Sequence, residues 1–331
     1  MANRIPEDPA GKSARDKLTA HRGLATWGEA LVPIGRFREA TARAGRTLDS
    51  TGRRREIAAF TQRRPDETPI EGPYSRIAVF GGIYNNHVAL EALLERIRGV
   101  DALYCLGDFG GFGPNPEKVF PLLERARVRA IQGNYEQSLA AGLGDCNCGY
   151  TDPRDNHFAD ISYRYTAANT PAEFKRWMGE LPTRRRVRVG TKELLLVHGS
   201  PRRINEFLFE STTPDAFLEL LLDQEGADGL LCTHTGLPWH RRLPSGRDAV
   251  NVGVIGRPAN DGRTEVWFAL IEANDDEISV THEPLDYDRG ALVEEMRSEG
   301  LPEEFVETIT TGWWTTCLEI LPAKERARSR Y

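Results

Sequence analysis

The 331-residue chain has few cysteines and no long apolar run. No stretch approaches the roughly 18–20 consecutive apolar residues that a membrane-spanning helix requires. Residues 1–18 have no apolar segment behind their basic residues, so a secretory signal is not expected there. Five cysteines are a small and odd number, which argues against a disulfide framework and favours a reducing compartment. These absences together predict a globular protein of the cytoplasm without membrane spans.

Neither a large net charge nor a shortage of apolar residues marks the chain. Hydrophobic residues make up 40% of it, which is enough for one large core with appendages. The net charge of −6 is unevenly distributed, because residues 1–75 hold 14 Lys and Arg against 10 Asp and Glu, whereas the remainder carries −10. A basic arm on an acidic body could contact a protein partner, or it could be a solvated helical extension. The acidic body argues against a dedicated nucleic-acid-binding protein.

The sequence pattern divides the chain into three parts. Residues 1–72 contain short helical patches broken by glycine and proline and end Arg-rich, which predicts an accessory arm. From residue 76 to 131, apolar strands alternate with amphipathic helices, and this β-α-β-α-β order predicts a parallel sheet with functional loops at the carboxyl ends of its strands. Further strands complete a core over residues 73–284 and predict a second sheet packed on the first. Residues 285–331 predict a helical extension that packs on this core.

A side chain able to bind a metal ion follows each of four predicted strands. These residues are Asp108, Asn134, His198 and His234. Two oxygen and two imidazole donors suit Mn, Fe or Zn, so the set predicts one divalent or trivalent transition-metal ion. Any one of them alone would be weak evidence, since an isolated histidine is usually structural. Four in series at strand ends favour a metal site over side chains that are held only by hydrogen bonds.

Six loop motifs in a fixed order carry a family resemblance. They are Gly82-Ile-Tyr-Asn-Asn86, Gly107-Asp-Phe-Gly-Gly-Phe-Gly-Pro114, Gly133-Asn-Tyr-Glu136, His198-Gly-Ser-Pro201, Thr233-His-Thr-Gly-Leu-Pro238 and Asn251-Val-Gly-Val-Ile-Gly-Arg-Pro258. Over residues 76–311 the chain thereby resembles the calcineurin-like metallophosphoesterases, and most closely their small bacterial protein-phosphatase-like and phosphodiesterase-like branch. The resemblance implies an α/β fold, a four-layer α/β/β/α sandwich, here with a mostly helical N-terminal arm. It also implies a two-metal site between the strand ends.

The resemblance further implies that only one of the two metal sites is intact. Ligands of one ion would fall at Gly82, Tyr84, Asp108 and Gly236, of which only the shared Asp108 can bind a metal in the family's way. Ligands of the other ion would be the four strand-end residues Asp108, Asn134, His198 and His234, all present. Tyr84 could still be a phenolate ligand, or it could be apolar filling for the vacated position.

The family's proton donor and the carboxylate that orients it fall at Tyr135 and Glu136. Both are candidates to assist proton transfer, although a phenol with an ordinary pKa of about 10 is a poor proton shuttle at neutral pH. Arg202 is the first candidate for anion binding, and Arg203 and Arg257 could share that role or be surface charges.

Two further features invite more than one interpretation. Cys146 and Cys148, with His157 nine residues on, could bind a soft metal or form a redox pair, or they could be unrelated thiols. The pair Trp313-Trp314 predicts packing or an interface, and a homodimer is plausible on that basis.

The sequence supports three functions. The first is a metal-dependent phosphoesterase that works with a single remaining ion on a phosphate-containing small molecule or phosphoprotein. The second is an inactive relative that binds a phosphorylated ligand or protein and uses the N-terminal arm for contact. The third is a different metal-dependent reaction in a remodelled site.

Overall fold

The computed structural model describes residues 68–328. The predicted arm, residues 1–72, lies outside these residues except for its last five. In the described part the strands are β1 Ile70–Tyr74, β2 Arg76–Phe80, β3 Ala102–Cys105, β4 Arg129–Ala130, β5 Arg184–Val189, β6 Lys192–Val197, β7 Gly229–Cys232, β8 Trp239–Arg242, β9 Asp248–Asn251, β10 Val266–Asn274 and β11 Glu277–Leu285. The helices are α1 His87–Arg96, α2 Val119–Arg125, α3 Asn134–Ala141, α4 Pro153–Asn169, α5 Ala172–Glu180, α6 Asp215–Glu225, α7 Arg289–Ser298, α8 Glu303–Thr311 and α9 Ala323–Arg326.

The strands form two sheets. The first has the order β11-β10-β2-β3-β4, with β2, β3 and β4 parallel and β10 antiparallel to both of its neighbours. The parallel arrangement of these three strands confirms the β-α-β-α-β prediction. Helix α1 joins β2 to β3, and the side chain of Asn86 caps it by accepting a hydrogen bond from the Ala89 N–H.

The second sheet has the order β1-β5-β6-β7-β9-β8. Strands β6, β7 and β9 are parallel, whereas β5 is antiparallel to β6 and β8 antiparallel to β9. The sequence pattern did not indicate β1 or β8, which occupy the two edges. Because β1 begins at Ile70 and pairs with β5, the boundary predicted after residue 72 falls inside a strand. The core therefore starts earlier than the sequence suggested.

The two sheets pack face to face, and helices cover their outer faces. Along β2, Ile77 and Val79 belong to the core between the sheets, whereas Ala78 and Phe80 belong to the core under the helices. This alternation follows from the two-residue period of a strand. On the far side, a third cluster packs α6 against the second sheet. The layers are therefore helix, sheet, sheet, helix, which confirms the predicted four-layer sandwich.

The C-terminal segment packs on the helix side of the first sheet. Helices α7 and α8 bury Leu292, Met296 and Phe305 in the core under the helices. Beyond α8, Trp314 is completely buried and its indole N–H donates to the Pro258 carbonyl oxygen at 2.7 Å. Because Trp314 is enclosed within the chain, the predicted interface role does not apply to it. Within residues 68–328, no helix combines the length and apolar character needed to cross a bilayer.

Candidate metal centre

Three predicted ligands from three different strand ends meet at one point. Candidate ligand atoms of Asp108, His198 and His234 all lie within 4.8 Å of one another, and all three residues are buried. The Nε2 atom of His198 lies 3.3 Å from Asp108 Oδ2 and 3.1 Å from His234 Nδ1. Asp108 follows β3, His198 follows β6 and His234 follows β7. Carboxyl ends of parallel strands face one edge of a sheet, so the packing of the two sheets brings these loops together.

Asn134 supplies a fourth donor atom. Its Oδ1 lies 3.0 Å from His198 Nε2. Its Nδ2 donates to the Cys146 carbonyl oxygen at 2.8 Å and lies 3.5 Å from Cys148 Sγ. Because the amide nitrogen is held by these acceptors, the amide oxygen faces His198. All four metal-binding residues predicted from the sequence are therefore together in the fold.

The hydrogen bonds of His198 show that this cluster suits a cation. His198 Nδ1–H donates to the Leu106 carbonyl oxygen at 2.6 Å, and a carbonyl can only accept. In neutral His198, Nε2 faces Asp108 and Asn134 with a lone pair, and in protonated His198 the same atom donates a hydrogen bond to them. The buried oxygens of Asp108 and Asn134 are therefore matched by positive charge, either a proton on His198 or a metal ion. The donor set of two imidazoles, a carboxylate and an amide oxygen fits a transition-metal ion.

The pKa values of the two histidines shift in opposite directions. Burial, and next the neighbouring His198, lower the pKa of His234 to about 3, so His234 presents the neutral imidazole that binds metals. Burial opposes protonation of His198, but the charge of Asp108 outweighs it and raises its pKa. The ring of Phe207 stacks on His234 with centroids 4.4 Å apart and fixes its plane.

The backbone at the cluster adopts conformations that most residues avoid. Asp108 and His234 both have a φ of +60°, in the left-handed region. Such positions cost of order 1 kcal/mol or more and collect at functional sites. Gly133 permits the close approach of the loops, because a Cβ there would lie 2.4 Å from Asp108 Oδ1 and 2.9 Å from His198 Cε1. The local chain is thus bent to bring ligands inward.

Glu136 holds the ligand loops together and does not face the cluster. Its carboxylate accepts hydrogen bonds from the backbone N–H groups of Asp108, Phe109 and Gly133 at 2.7, 2.8 and 2.7 Å. Burial, followed by the charge of Asp108, raises its pKa to about 7. The predicted role in proton transfer stays a prediction, but the contacts of both carboxylate oxygens are those of a positioning group.

Tyr135, the other predicted proton-transfer residue, lines the same cavity as Asp108 and His234. Its phenolic oxygen lies 2.9 Å from Ser162 Oγ, and its backbone N–H donates to Asp108 Oδ1 at 3.3 Å. Burial raises the pKa of the phenol. Tyr135 therefore keeps its proton at neutral pH and can donate a hydrogen bond but not serve as a base.

The cavity beside the ligands has a volume of about 20 Å³, room for roughly one water molecule. The Tyr84 ring crowds one position that the resemblance assigns to the other ion, because a Cβ on Gly82 would lie 2.6 Å from Tyr84 Cζ. At Gly236 the Trp314 ring is in ordinary van der Waals contact, 3.5 Å from where a Cβ would lie. Burial raises the pKa of Tyr84, which favours a neutral phenol over a phenolate ligand. These contacts support the interpretation of Tyr84 as filling.

Cys146 and Cys148 form a disulfide bond. This corrects the expectation of unrelated thiols and agrees with the redox alternative. His157 is exposed on α4, where its ring packs 5.4 Å from that of Phe158. Among residues 68–328, Asp108, His198 and His234 are the only group of three or more metal-binding His, Cys, Asp or Glu side chains. The structure therefore does not gather the two cysteines and His157 into a second metal site.

The arginines considered for anion binding differ in placement. Arg202 is half exposed, forms an ion pair with Glu206 at 3.4 Å and lies over the ring of Phe217. Its anion-binding role stays a prediction. Arg257 is buried and lines the cavity with Asp108 and His234. Sequence analysis named Arg257 as a possible anion ligand or a surface charge, and its burial excludes the surface alternative. The sequence did not indicate that Ser162, Phe207 and Trp314 lie near the metal centre, because their positions there depend on contacts between distant segments.

Comparison with known proteins places this site in a family. Residues 76–276, more than half of the chain, match the Calcineurin-like phosphoesterase superfamily domain. A metallophosphoesterase from Sphaerobacter thermophilus is similar in structure, with 26% identity, a TM-score of 0.56, and coverage of 72% of this chain and 99% of that one.

Two archaeal proteins are also similar. The hypothetical protein PH1004 from Pyrococcus horikoshii OT3 shares the fold at 24% identity and a TM-score of 0.61, over 72% of this chain and 99% of its own. Uncharacterized protein MJ0912 of Methanocaldococcus jannaschii is 25% identical over 256 residues, which cover 72% of this chain and 98% of that protein.

Proposed function

The chain belongs to the calcineurin-like phosphoesterase superfamily, and we propose that it is a metal-dependent phosphoesterase that works with a single transition-metal ion. The observation that carries the proposal is the convergence of Asp108, Asn134, His198 and His234 on one point. The crowding of Gly82 by the Tyr84 ring supports one ion instead of the family's two. A phosphate-containing small molecule or a phosphoprotein is the substrate class.

Each residue of the site has a physical task in this proposal. An ion held by the four ligands would supply Lewis acidity toward a phosphoryl oxygen. Asp108 provides the negative charge that makes the buried site attractive to a cation. Tyr135 is placed to donate a hydrogen bond from its phenol, which Ser162 orients at 2.9 Å, to the leaving oxygen. Glu136 holds the loops of Asp108 and Gly133 together, because its carboxylate accepts three backbone hydrogen bonds from them.

One observation favours a second function, phosphoryl binding without turnover. The cavity of about 20 Å³ is smaller than any phosphate ester, so a substrate requires rearrangement of its walls. A protein that binds a phosphorylated ligand slowly and without hydrolysis would be consistent with such a closed site. A protein partner for the N-terminal arm stays a prediction, because residues 1–67 lie outside the described residues.

Metal analysis combined with turnover tests the proposal. The purified protein is loaded with Mn, Fe or Zn, its metal content is measured, and hydrolysis of a generic phosphodiester and phosphomonoester is followed. One equivalent of metal with metal-dependent turnover is the expected result. One equivalent of bound metal without hydrolysis by the Mn-, Fe- or Zn-loaded protein would instead support phosphoryl binding without turnover. Less than a tenth of an equivalent under every condition would overturn the metal site, and two equivalents would overturn the single-ion proposal.

A further inference from the structure

Arg257 is a buried cation without a carboxylate partner. The residue is only 4% exposed, and its Nε has no hydrogen-bond partner. Within residues 68–328, no Asp or Glu forms an ion pair with it, and its contacts are instead with aromatic rings and with the side chain of Cys317. Its guanidinium carbon lies 3.6 Å from the ring centroid of Trp314, 4.6 Å from that of Phe112 and 5.6 Å from that of Tyr84.

Such an arrangement is uncommon because burying a charge is costly. Removing a guanidinium from water is normally offset by a paired carboxylate and several hydrogen bonds. Stacking on aromatic faces recovers only part of that cost. Arg257 opens onto the cavity that Asp108, Tyr135 and His234 also line. The charge therefore faces the candidate metal centre with hydrogen-bonding capacity to spare, which suits an anion from outside the chain.

The two rings nearest the lost ligand positions also hold Arg257. Tyr84 crowds Gly82, and Trp314 lies against Gly236. Both rings flank the guanidinium of Arg257. The family resemblance assigns the private ligands of the absent ion to Gly82, Tyr84 and Gly236. A fixed positive charge thus stands close to the place where the second ion would have supplied one.

We propose that Arg257 binds a phosphoryl oxyanion beside the single metal ion and thereby takes over the electrostatic role of the missing ion. The proposal rests on the proposed function only in that the ligand is a phosphoryl group; it does not require turnover. A guanidinium is suited to this role because it stays protonated and presents its N–H donors in a planar fork that matches two oxygens of a phosphate. Trp314, Phe112 and Tyr84 keep the fork in one plane.

Access to this anion site involves residues 145–150, which we call the covering segment. Cys148 and Tyr150 from this segment line the 20 Å³ cavity and also a surface pocket of about 260 Å³. The covering segment therefore separates the buried Arg257 from the surface. A displacement of this segment would join the two spaces and admit a phosphoryl group.

Binding of inorganic phosphate tests the proposal. Phosphate affinity is measured by calorimetry on protein loaded to one equivalent with Mn²⁺ and on metal-free protein, for the wild type, Arg257→Met, Arg257→Lys and the control Arg164→Met, an exposed arginine that pairs with Asp160. We expect Arg257→Met to weaken phosphate binding by about 10- to 100-fold, because a charge-assisted bidentate contact is lost. Arg257→Lys should recover part of the affinity, and Arg164→Met should match the wild type. Metal content should stay unchanged in all four proteins.

Several outcomes would overturn the inference. Equal phosphate affinity in wild type and Arg257→Met would do so, as would an Arg164→Met variant weakened as much as Arg257→Met. If Arg257→Met does not fold, Arg257→Lys decides the question, since full stability with unchanged phosphate affinity would leave a structural role only. A wild type that binds phosphate through Arg257 but hydrolyses nothing would overturn the proposed turnover and leave this inference standing. If the wild type hydrolyses phosphate esters but its phosphate binding does not depend on Arg257, the inference about Arg257 is overturned and the proposed turnover stands.

Discussion

The side-chain amide of Asn134 donates a hydrogen bond to the backbone carbonyl of Cys146 at 2.8 Å. This contact turns the amide oxygen of Asn134 toward His198 Nε2. The candidate metal ligand Asn134 is thereby oriented by Cys146, which lies twelve positions along the chain and forms a disulfide bond with Cys148. The conformation of the covering segment is therefore coupled to the geometry of the metal centre.

Opening the disulfide should weaken metal binding. Reduction frees the Cys146–Cys148 loop, so the Cys146 carbonyl no longer holds the Asn134 amide in place. Loss of an outer partner of a metal ligand typically costs about 10- to 100-fold in affinity. Metal affinity is measured by competition with a chelating dye, with and without a phosphine reductant. The Cys146→Ser/Cys148→Ser variant should be weak in both conditions, and reductant sensitivity in that variant would contradict the explanation.

Removing a ligand should abolish stoichiometric metal binding. Asp108→Ala and His198→Ala each take away a donor of a four-donor site, and we expect metal affinity to fall by at least about 100-fold, more than outer-partner losses produce. Metal content after dialysis is the measurement. His157→Ala, on the exposed face of α4, is the matched histidine control and should keep one equivalent. Equal retention by His198→Ala and His157→Ala would remove His198 from the site.

Replacing Glu136 should affect stability and metal binding together. In Glu136→Gln one carboxylate oxygen becomes an NH₂ group, which cannot accept from the backbone N–H groups of Asp108, Phe109 or Gly133. A buried donor left without its acceptor costs about 1–3 kcal/mol of unfolding free energy. Urea unfolding and metal affinity are both measured. A variant with unchanged stability and metal affinity but a lower kcat would show instead that Glu136 acts on the substrate.

Restoring a family carboxylate at Gly82 should fail while Tyr84 remains. A Cβ at Gly82 would lie 2.6 Å from Tyr84 Cζ, so Gly82→Asp should lose about 1–3 kcal/mol through overpacking in addition to its backbone strain. Gly142→Asp is the control, because Gly142 also has a positive φ but has no atom near its Cβ position.

Combining Gly82→Asp with Tyr84→His should recover about 1 kcal/mol or more, because residues in contact couple in a double-mutant cycle. Unfolding free energies of the two single variants and the double variant give the coupling. Strict additivity would show that Tyr84 is not the obstacle at Gly82.

A partly buried ion-pair cluster at the edge strand, in which Glu71 contacts Arg129 and Arg185, should make stability depend on pH. Burial favours the neutral form of Glu71, but hydrogen bonding and charge from Arg185, with help from Tyr104 and Arg129, hold its pKa below the ordinary value. The stabilising contribution is therefore present above the ordinary carboxyl pKa and is lost as the pH falls through the lowered one.

The Glu71→Gln variant checks this dependence. We expect it to be less stable than the wild type by about 1–2 kcal/mol at pH 7, and the difference should shrink toward pH 3. Unfolding is measured across that range, with the exposed Glu294→Gln as control. A difference that grows on acidification would reverse the assigned sign.

The sequence by itself determined most of the strands, their alternation with helices and the positions of the candidate ligands. Short continuous apolar runs specify β2 and β6 locally, and Asn86 marks the start of α1. The four candidate metal ligands were found because each follows a strand, and the ends of parallel strands meet. The short edge strands β1 and β8 were missed, since their mixed polar composition gives little periodic signal.

Only the tertiary structure decided how the rest of the site is built. Two contacts of the site join residues that are far apart in sequence, and no local pattern encodes them. The Trp314 ring lies against Gly236, and the guanidinium of Arg257 lies over the ring of Tyr84. The same holds for the Asn134 amide held by Cys146 and for the three N–H groups gathered by Glu136. The sequence showed Gly82, Tyr84 and Gly236 where the resemblance implies metal ligands. What surrounds these positions, aromatic rings around a buried guanidinium, depends on packing between distant segments, and packing is decided only when the chain has folded.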